Sequence, residues 1–317
     1  MKISVIVSTY NGSEYIIEQL DSLRDQTRKP DEVLISDDVS SDDTVEIVKK
    51  YISDNNLQDR WSCTVNAKNK GFIKNFFDGA ERSSGDLLLF CDQDDIWELD
   101  KIKELEKVIV DNNADAAYCL TTTIDSQGNP VKDKLNRFRR VKGKGEIHKL
   151  TIEERLNCGR SSGLCLIFKR DMLPQIEEIS DVYEIPHDLP VGLIASVKGT
   201  YYQLNKPLVR HRVHTDNVST FGTNLANNSN SIKKQIDSRL FKIRELKALT
   251  GEYGDLLSDK QKKQALAAIA IHEDAIRSLN NRKAGKLILS LFKANKMVNK
   301  YLTLRNIVAV IRNKKDA

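Results

Sequence analysis

DLLLFCDQDDIW, residues 86–97, sets an unbroken apolar run against three carboxylates in four positions. Leu87 to Phe90 read as a buried strand, because a short apolar run bounded by polar residues suits a strand covered on both faces. Asp92, Asp94 and Asp95 follow at its carboxyl end. Like charges this close repel unless something positive sits among them. In an open α/β sheet, that end of the strands is where ligands bind.

The flanking segments repeat the pattern. Lys2–Ser8 (KISVIVS), DEVLISDD and Trp61–Val65 read as strands. SEYIIEQLDSLRDQ, SSDDTVEIVKKYI, GFIKNFFDGAERS and DKIKELEKVIVDN carry helical spacing between them. Ser13 is the expected N-cap of the first helix, and Ser41 or Asp42 that of the second. Strand alternating with helix predicts an α/β fold with a mixed, mostly parallel sheet flanked by helices. Further on, GLCLIFK and TYYQLNKPLVRHRVH return to strand character. HDLPVGLIASV reads as a helix capped by Asp188, with Pro190 in its first turn. Residues 130–149 read as an exposed loop and 222–231 as a linker to a C-terminal α-helical extension over 232–317.

Charge divides the chain. Residues 232–317 hold 20 Lys or Arg against 8 Asp or Glu, while residues 1–231 hold 30 against 37. The basic end suits an anionic membrane surface or a polyphosphate, or is a solvated helical face. Ile288, Leu291, Val298, Leu302 and Ile307 suit amphipathic helices that lie on a membrane, pack on the rest of the chain, or pair in a homo-oligomer. Five scattered cysteines with no CxxC pair point to a reduced, cytoplasmic protein without a disulfide framework. The start of the chain lacks the long apolar region of a signal peptide. No nucleic-acid partner is expected.

Three polar clusters fall at strand ends: STYN (8–11), SDDVSSDD (36–43) and CDQDD (91–95). Carboxylates converging there call for a hard cation, Mg²⁺ or Mn²⁺, held by one or two carboxylates and by substrate phosphates. An EF-hand loop counted from Asp92 fails, since its sixth position is Trp97 and its twelfth Lys103. N-capping of the next helix consumes one carboxylate, not three. GxxxxGK[ST] and GxGxxG are both absent, which disfavours an ATPase and a dinucleotide oxidoreductase.

SVIVSTYNG, ISDDVSSDDT, NKGFIKNF, DQDDIW, the His187–Asp188 pair and RVHTDNVS, in this order, resemble glycosyltransferase family 2 with the GT-A fold. Within it the match is nearest to bacterial rhamnosyltransferase-like enzymes of surface polysaccharide assembly. The resemblance covers residues 1–221, with a nucleotide-sugar half to about residue 115 and an acceptor half after it. It implies that Thr9, Tyr10, Asn11, Asp37 and Asp38 hold the nucleoside, with Asp38 accepting the N3–H of uracil or thymine. It places Asp92 and Gln93 near the ribose or sugar, and Asn69 and Lys74 along the donor pocket. Asp94 and His214 would ligate the metal, and Arg212 would meet a phosphate through its guanidinium fork. Asp188 occupies the position of the family's general base. His187 either orients that base, touches the acceptor, or is simply exposed. Relatives commonly place aromatic residues after the His–Asp pair, where this chain has Leu189 and Pro190.

The implied activity is inverting transfer of a sugar onto a hydroxyl of a growing bacterial surface glycan. Rhamnose from dTDP-rhamnose is the first choice and a hexose from a UDP-sugar the second. The acceptor would be a glycan or lipid-linked saccharide, met at the inner face of the cell membrane through peripheral contact. A sugar nucleotidyltransferase is the rival enzyme, and a noncatalytic nucleotide-sugar-binding or scaffold protein the rival of another class.

Overall fold

Apolar β-branched runs at Ile3–Thr9 (β1), Glu32–Asp37 (β2), Trp61–Val65 (β3) and Leu87–Asp92 (β4) form the parallel half of one sheet in the computed structural model, which describes residues 1–131, 146–157, 163–214, 232–283, 285–288, 297–298 and 306–307. Among these residues the strand order is β3-β2-β1-β4-β9-β6-β10-β5. The added strands are β5 (Ile96–Trp97), β6 (Ala116–Ile124), β9 (Leu166–Lys169) and β10 (Tyr201–Arg212). Two short strands, β7 (Pro130–Val131) and β8 (Ile147–Lys149), pair with β6 and β10. The expected helices form at Ile16–Arg24, Thr44–Asp54, Phe72–Arg82 and Lys101–Asn112. The order reverses at β1, whose neighbours β2 and β4 are both parallel to it, so a crevice opens at the carboxyl ends of β1 and β4. β9 runs antiparallel between β4 and β6, an insertion that a four-residue apolar run cannot announce.

The caps differ from expectation. The first two helices start after Tyr15 and Asp43, with no side-chain cap bond on either. Asp42 instead accepts from the backbone N–H groups of both Ser13 and Thr44, tying two helix starts together. The helix Asp188–Lys198 follows His187, so Asp188 is its first residue and not its cap. The loop expected over 130–149 includes two strands at its margins, and residues 132–145 lie outside the described residues. The expected linker lies outside them too, as do Leu291 and Leu302.

Leu87 to Phe90 are fully buried at the centre of the core. The C-terminal helices Ile232–Glu252 and Asp259–Asn280 share the sheet's core and add a small cluster of their own, in which Ile232 and Ile236 pack against Ala275, Leu279 and Leu287. Leu246, Leu249, Ala265 and Ala268 join the same apolar cluster as the sheet, as do Met297 and Val298. Among the described residues, no helix is long and apolar enough to cross a membrane.

His187 is buried in an aromatic cage. Phe76 and Phe90 stand 4.7 and 4.8 Å from its ring, with Phe72 and Phe77 at 6.2 and 6.4 Å. The exposed alternative is thereby removed. Burial pulls its pKa down to about 3, so the ring is neutral. The unfolded chain takes up this proton near pH 6.5, so the stability is fully present above that value. It is lost as pH falls towards 3, at roughly 1.4 kcal/mol per pH unit. His187→Phe should remove one proton's worth of slope from urea-unfolding free energies between pH 4 and 6; an unchanged slope would refute the buried neutral ring. Leu249→Ala should cost about 2–5 kcal/mol in a single cooperative transition; a separate early transition would show that the C-terminal helices fold apart from the sheet.

Candidate functional site

The three polar clusters meet because their strands are neighbours in register. Thr9 lies opposite Asp37, and Ser8 opposite Asp92. Much of this polar equipment goes into shaping the loops. Asp37 is fully buried and accepts from the hydroxyls of Thr9 (2.8 Å) and Ser40 (2.6 Å) and from the Ser40 backbone N–H (2.8 Å). That grip holds Val39 at φ +67°, a left-handed conformation that costs a β-branched residue about 1–3 kcal/mol.

Asp38 is 2% exposed. Its carboxylate accepts from Asn66 Nδ2 and from the backbone N–H groups of Lys70 and Gly71, at 2.7–2.9 Å. Asn69 donates to the Asp38 carbonyl. Both residues therefore fold the 66–71 loop. This corrects the expectation that Asp38 meets a base N3–H, because its oxygens are buried against that loop. Lys74, expected in the donor pocket, forms an exposed ion pair with Asp181.

Gln93 also serves the framework. Its side-chain amide accepts from Tyr10 N–H at 2.8 Å and donates to the Tyr10 carbonyl at 3.0 Å, stitching the acidic loop to the end of β1. A Cβ on Gly12 would stand 2.2 Å from Gln93 Oε1, so a side chain there would push this amide off Tyr10. Tyr10 is half exposed and Asn11 adopts φ +49°, which leaves both on the rim of the crevice.

The carboxylates cluster as the sequence implied. β5 pairs antiparallel with Val209–Arg210 of β10, and this folds the acidic loop onto the end of that strand. Asp94 Oδ2 then lies 2.8 Å from His214 Nε2. Asp95 is fully buried, and its Oδ1 accepts from the Arg212 backbone N–H at 3.0 Å and lies 2.9 Å from His211 Nδ1. Asp95 Oδ2 has no protein partner. Burial pushes the Asp92 carboxyl up to about 8, and the charges of Asp95 and Asp94 add to the rise. Burial also raises Asp95, against the pull of His211. Burial works to lower His211, and the Asp95 carboxylate overrides it, so the imidazole is raised. His211 had no assigned role, and nothing in the order RHRVH distinguishes it; the β5–β10 pairing alone selects it.

Arg212 is not placed for a phosphate. It is 1% exposed, donates to the carbonyls of Asp94 and Ser126, and pairs with Glu18 at 2.7 Å. Its guanidinium also covers the Tyr15 ring at 4.7 Å. These contacts make it a bracket behind the acidic loop. Asp188, the first residue of the helix Asp188–Lys198, lies near enough for its charge to add to the rise of Asp92.

Among the described residues, no three His, Cys, Asp or Glu side chains form a ready metal cage. Asp94 and His214 form a two-donor platform, which fits a Mg²⁺- or Mn²⁺-type cation completed by substrate phosphate and water. The orphaned Asp95 oxygen and the raised Asp92 mark a region short of positive charge. A surface groove of about 710 Å³, lined by Met1, Asp86, Lys169 and Arg170, lies at the amino ends of the strands, away from this chemistry.

Comparison with known proteins finds glycosyltransferases. TarS of Staphylococcus aureus (strain Mu50), a poly(ribitol-phosphate) beta-N-acetylglucosaminyltransferase, is 33% identical over 132 residues, 41% of this chain and 22% of TarS. The chain thus matches about a fifth of that relative's length. The putative teichuronic acid biosynthesis glycosyltransferase TuaG of Bacillus subtilis (strain 168) is 25% identical, over 69% of this chain and 81% of its own. The dTDP-rhamnosyl transferase RfbG of Shigella flexneri is 36% identical, over 34% and 38% respectively. The crystal structure of TarS 1–349 in complex with UDP-GlcNAc superimposes with a TM-score of 0.61 at 18% identity, covering all of this chain and 92% of that one. That likeness supports the GT-A fold expected from the sequence. A sequence model of glycosyl transferase family 2 matches residues 4–176, more than half of the chain, and the chain belongs to that family.

Proposed function

We propose that the chain is an inverting, metal-dependent glycosyltransferase. It moves a sugar from a uridine or thymidine diphosphate onto a hydroxyl of a bacterial surface glycan. The observation that carries the reading is the Asp94–His214 pair held beside Asp92, whose strand end lies in register with that of β1. Relatives named for a dTDP-rhamnosyl and an N-acetylglucosaminyl activity support a pyrimidine diphosphate sugar of either kind.

Asp94 and His214 would hold the cation, which when bound supplies charge neutralisation to the leaving diphosphate. Tyr10 and Asn11 form the β1 rim against which the nucleoside would lie, while the buried Thr9 holds Asp37 beneath them. Asp92, at the end of β4, faces the sugar side. Asp188 takes the acceptor proton while the hydroxyl oxygen bonds to the anomeric carbon and the bond to the diphosphate oxygen breaks, with inversion. Asp188 opens a helix, so the positive end of the helix dipole lies beside it. The neutral His187 beside it brings no competing charge.

Calorimetry should show UDP or dTDP binding that depends on Mn²⁺ or Mg²⁺, with the metal-dependent part lost in Asp94→Ala. Asp188→Asn should keep that binding and lose about 10²–10⁴-fold in turnover of the donor that the wild type consumes. Nucleotide binding indifferent to metal would overturn the metal assignment. Turnover surviving in Asp188→Asn would overturn the base.

A further inference from the structure

The helix Ile152–Asn157 buries Ile152, Leu156 and one charged side chain, that of Arg155. Arg155 is 2% exposed, and its Nη2 donates to the Leu189 carbonyl at 3.0 Å, one residue beyond Asp188. Its Nη1 stands 2.5 Å from Glu245 Oε1, outside hydrogen-bonding alignment. Glu245 belongs to the C-terminal helix 232–252 and is fully buried. Lys242 Nζ donates to the other Glu245 oxygen at 2.7 Å and to the Leu156 carbonyl at 3.4 Å. The helix carrying Asp188 comes close to the guanidinium: a Cβ on Gly192 would stand 2.5 Å from Arg155 Nε. Burial works against the Arg155 charge, and Glu245 outweighs it, with Asp188 adding in the same direction.

A charged trio enclosed among Leu156, Leu189 and Leu246 is a poor way to gain stability, because apolar residues of like volume do as well or better. Its effect is directional. The guanidinium is tethered to a fixed carboxylate on one helix and grips the first turn of another.

We propose that the Arg155–Glu245 pair positions Asp188, so that the C-terminal helix sets the geometry of the base. This rests on the reading of Asp188 given above. Arg155 and Glu245 touch no substrate; they act through the 188–192 turn. The C-terminal region is then part of the catalytic unit, whatever its basic surface also meets.

The test uses the full chain as wild type, Glu245→Gln, the double variant Arg155→Met with Glu245→Met, and Asp188→Asn. Hydrogen exchange is read over residues 186–192, and nucleotide release is read from UDP-GlcNAc and dTDP-rhamnose with Mn²⁺. Glu245→Gln leaves a buried guanidinium uncompensated and can fail to fold, whereas the double variant removes that charge together with its carboxylate, keeps the volume and leaves only the Lys242 ammonium on the Leu156 carbonyl. Both variants that fold should exchange about tenfold faster at 186–192, with residues 9–12 and 91–95 unchanged. Their kcat should fall about 100-fold, the cost of displacing a reacting group by about 1 Å, with donor KM and nucleotide affinity unchanged. Wild-type exchange at 186–192 in the folded double variant overturns the proposal, as does accelerated exchange with undiminished kcat. Exchange needs no turnover, so it decides the coupling by itself. Turnover persisting in Asp188→Asn removes the base and leaves the coupling standing.

Discussion

Two residues of strand hold the acidic loop in place. Ile96 and Trp97 pair with Val209 and Arg210, and without that pairing the carboxylates after β4 would have no counterparts. With it, Asp94 meets His214, Asp95 meets His211, and Arg212 braces the loop through the Asp94 carbonyl. The pairing is anchored from below. Trp97 is buried, the Lys101 ammonium lies 3.0 Å from its ring centroid, and that ammonium donates to the Leu164 carbonyl at 2.6 Å. Burial pulls Lys101 down to about 8, so this cation is itself held at a cost. A cluster of negative charge is thus built on a rigid base while its own repulsion is left for a ligand to relieve.

The polar residues around the crevice divide into two groups. Asp37, Asp38, Asn69, Gln93 and Arg212 hold backbone in place: a left-handed Val39, the 66–71 loop, the end of β1, and the acidic turn. Asp94 meets His214, and the charges of Asp94 and Asp188 act on Asp92. The first group fixes the second in place, as holding a metal or aligning a reacting hydroxyl would require. In a motif such as DQDD the two groups alternate. Gln93 turns back to Tyr10 while its neighbours on either side belong to the charged cluster.

The C-terminal helices change how the architecture is understood. Composition separates a basic tail from an acidic body, and the separation is real in charge. It is not a separation in packing, because Leu246, Leu249, Met297 and Val298 belong to the sheet's own core. Basic residues can coat the outside of helices whose inner faces complete the protein, so net charge carries little information about which surface is buried.

Local order determined the alternation of strand and helix, the positions of the strand ends, and the clustering of carboxylates there. These follow from periodicity and from the placement of ligands at strand ends in such sheets, both of which are properties of neighbouring residues. The ordered motifs also sufficed to place the chain in its family, in agreement with the match over residues 4–176. Only tertiary structure decided which polar groups were already taken. Asp38 looked free for a base and is occupied by Asn66, Lys70 and Gly71; Arg212 looked free for a phosphate and is occupied by Glu18 and two carbonyls. His211 acquired its carboxylate from a residue 116 positions away, and His187 its cage from a helix and a strand far upstream. Hydrogen-bond partners and burial are long-range facts. They depend on which strands pair and in what register, and no local spacing encodes that.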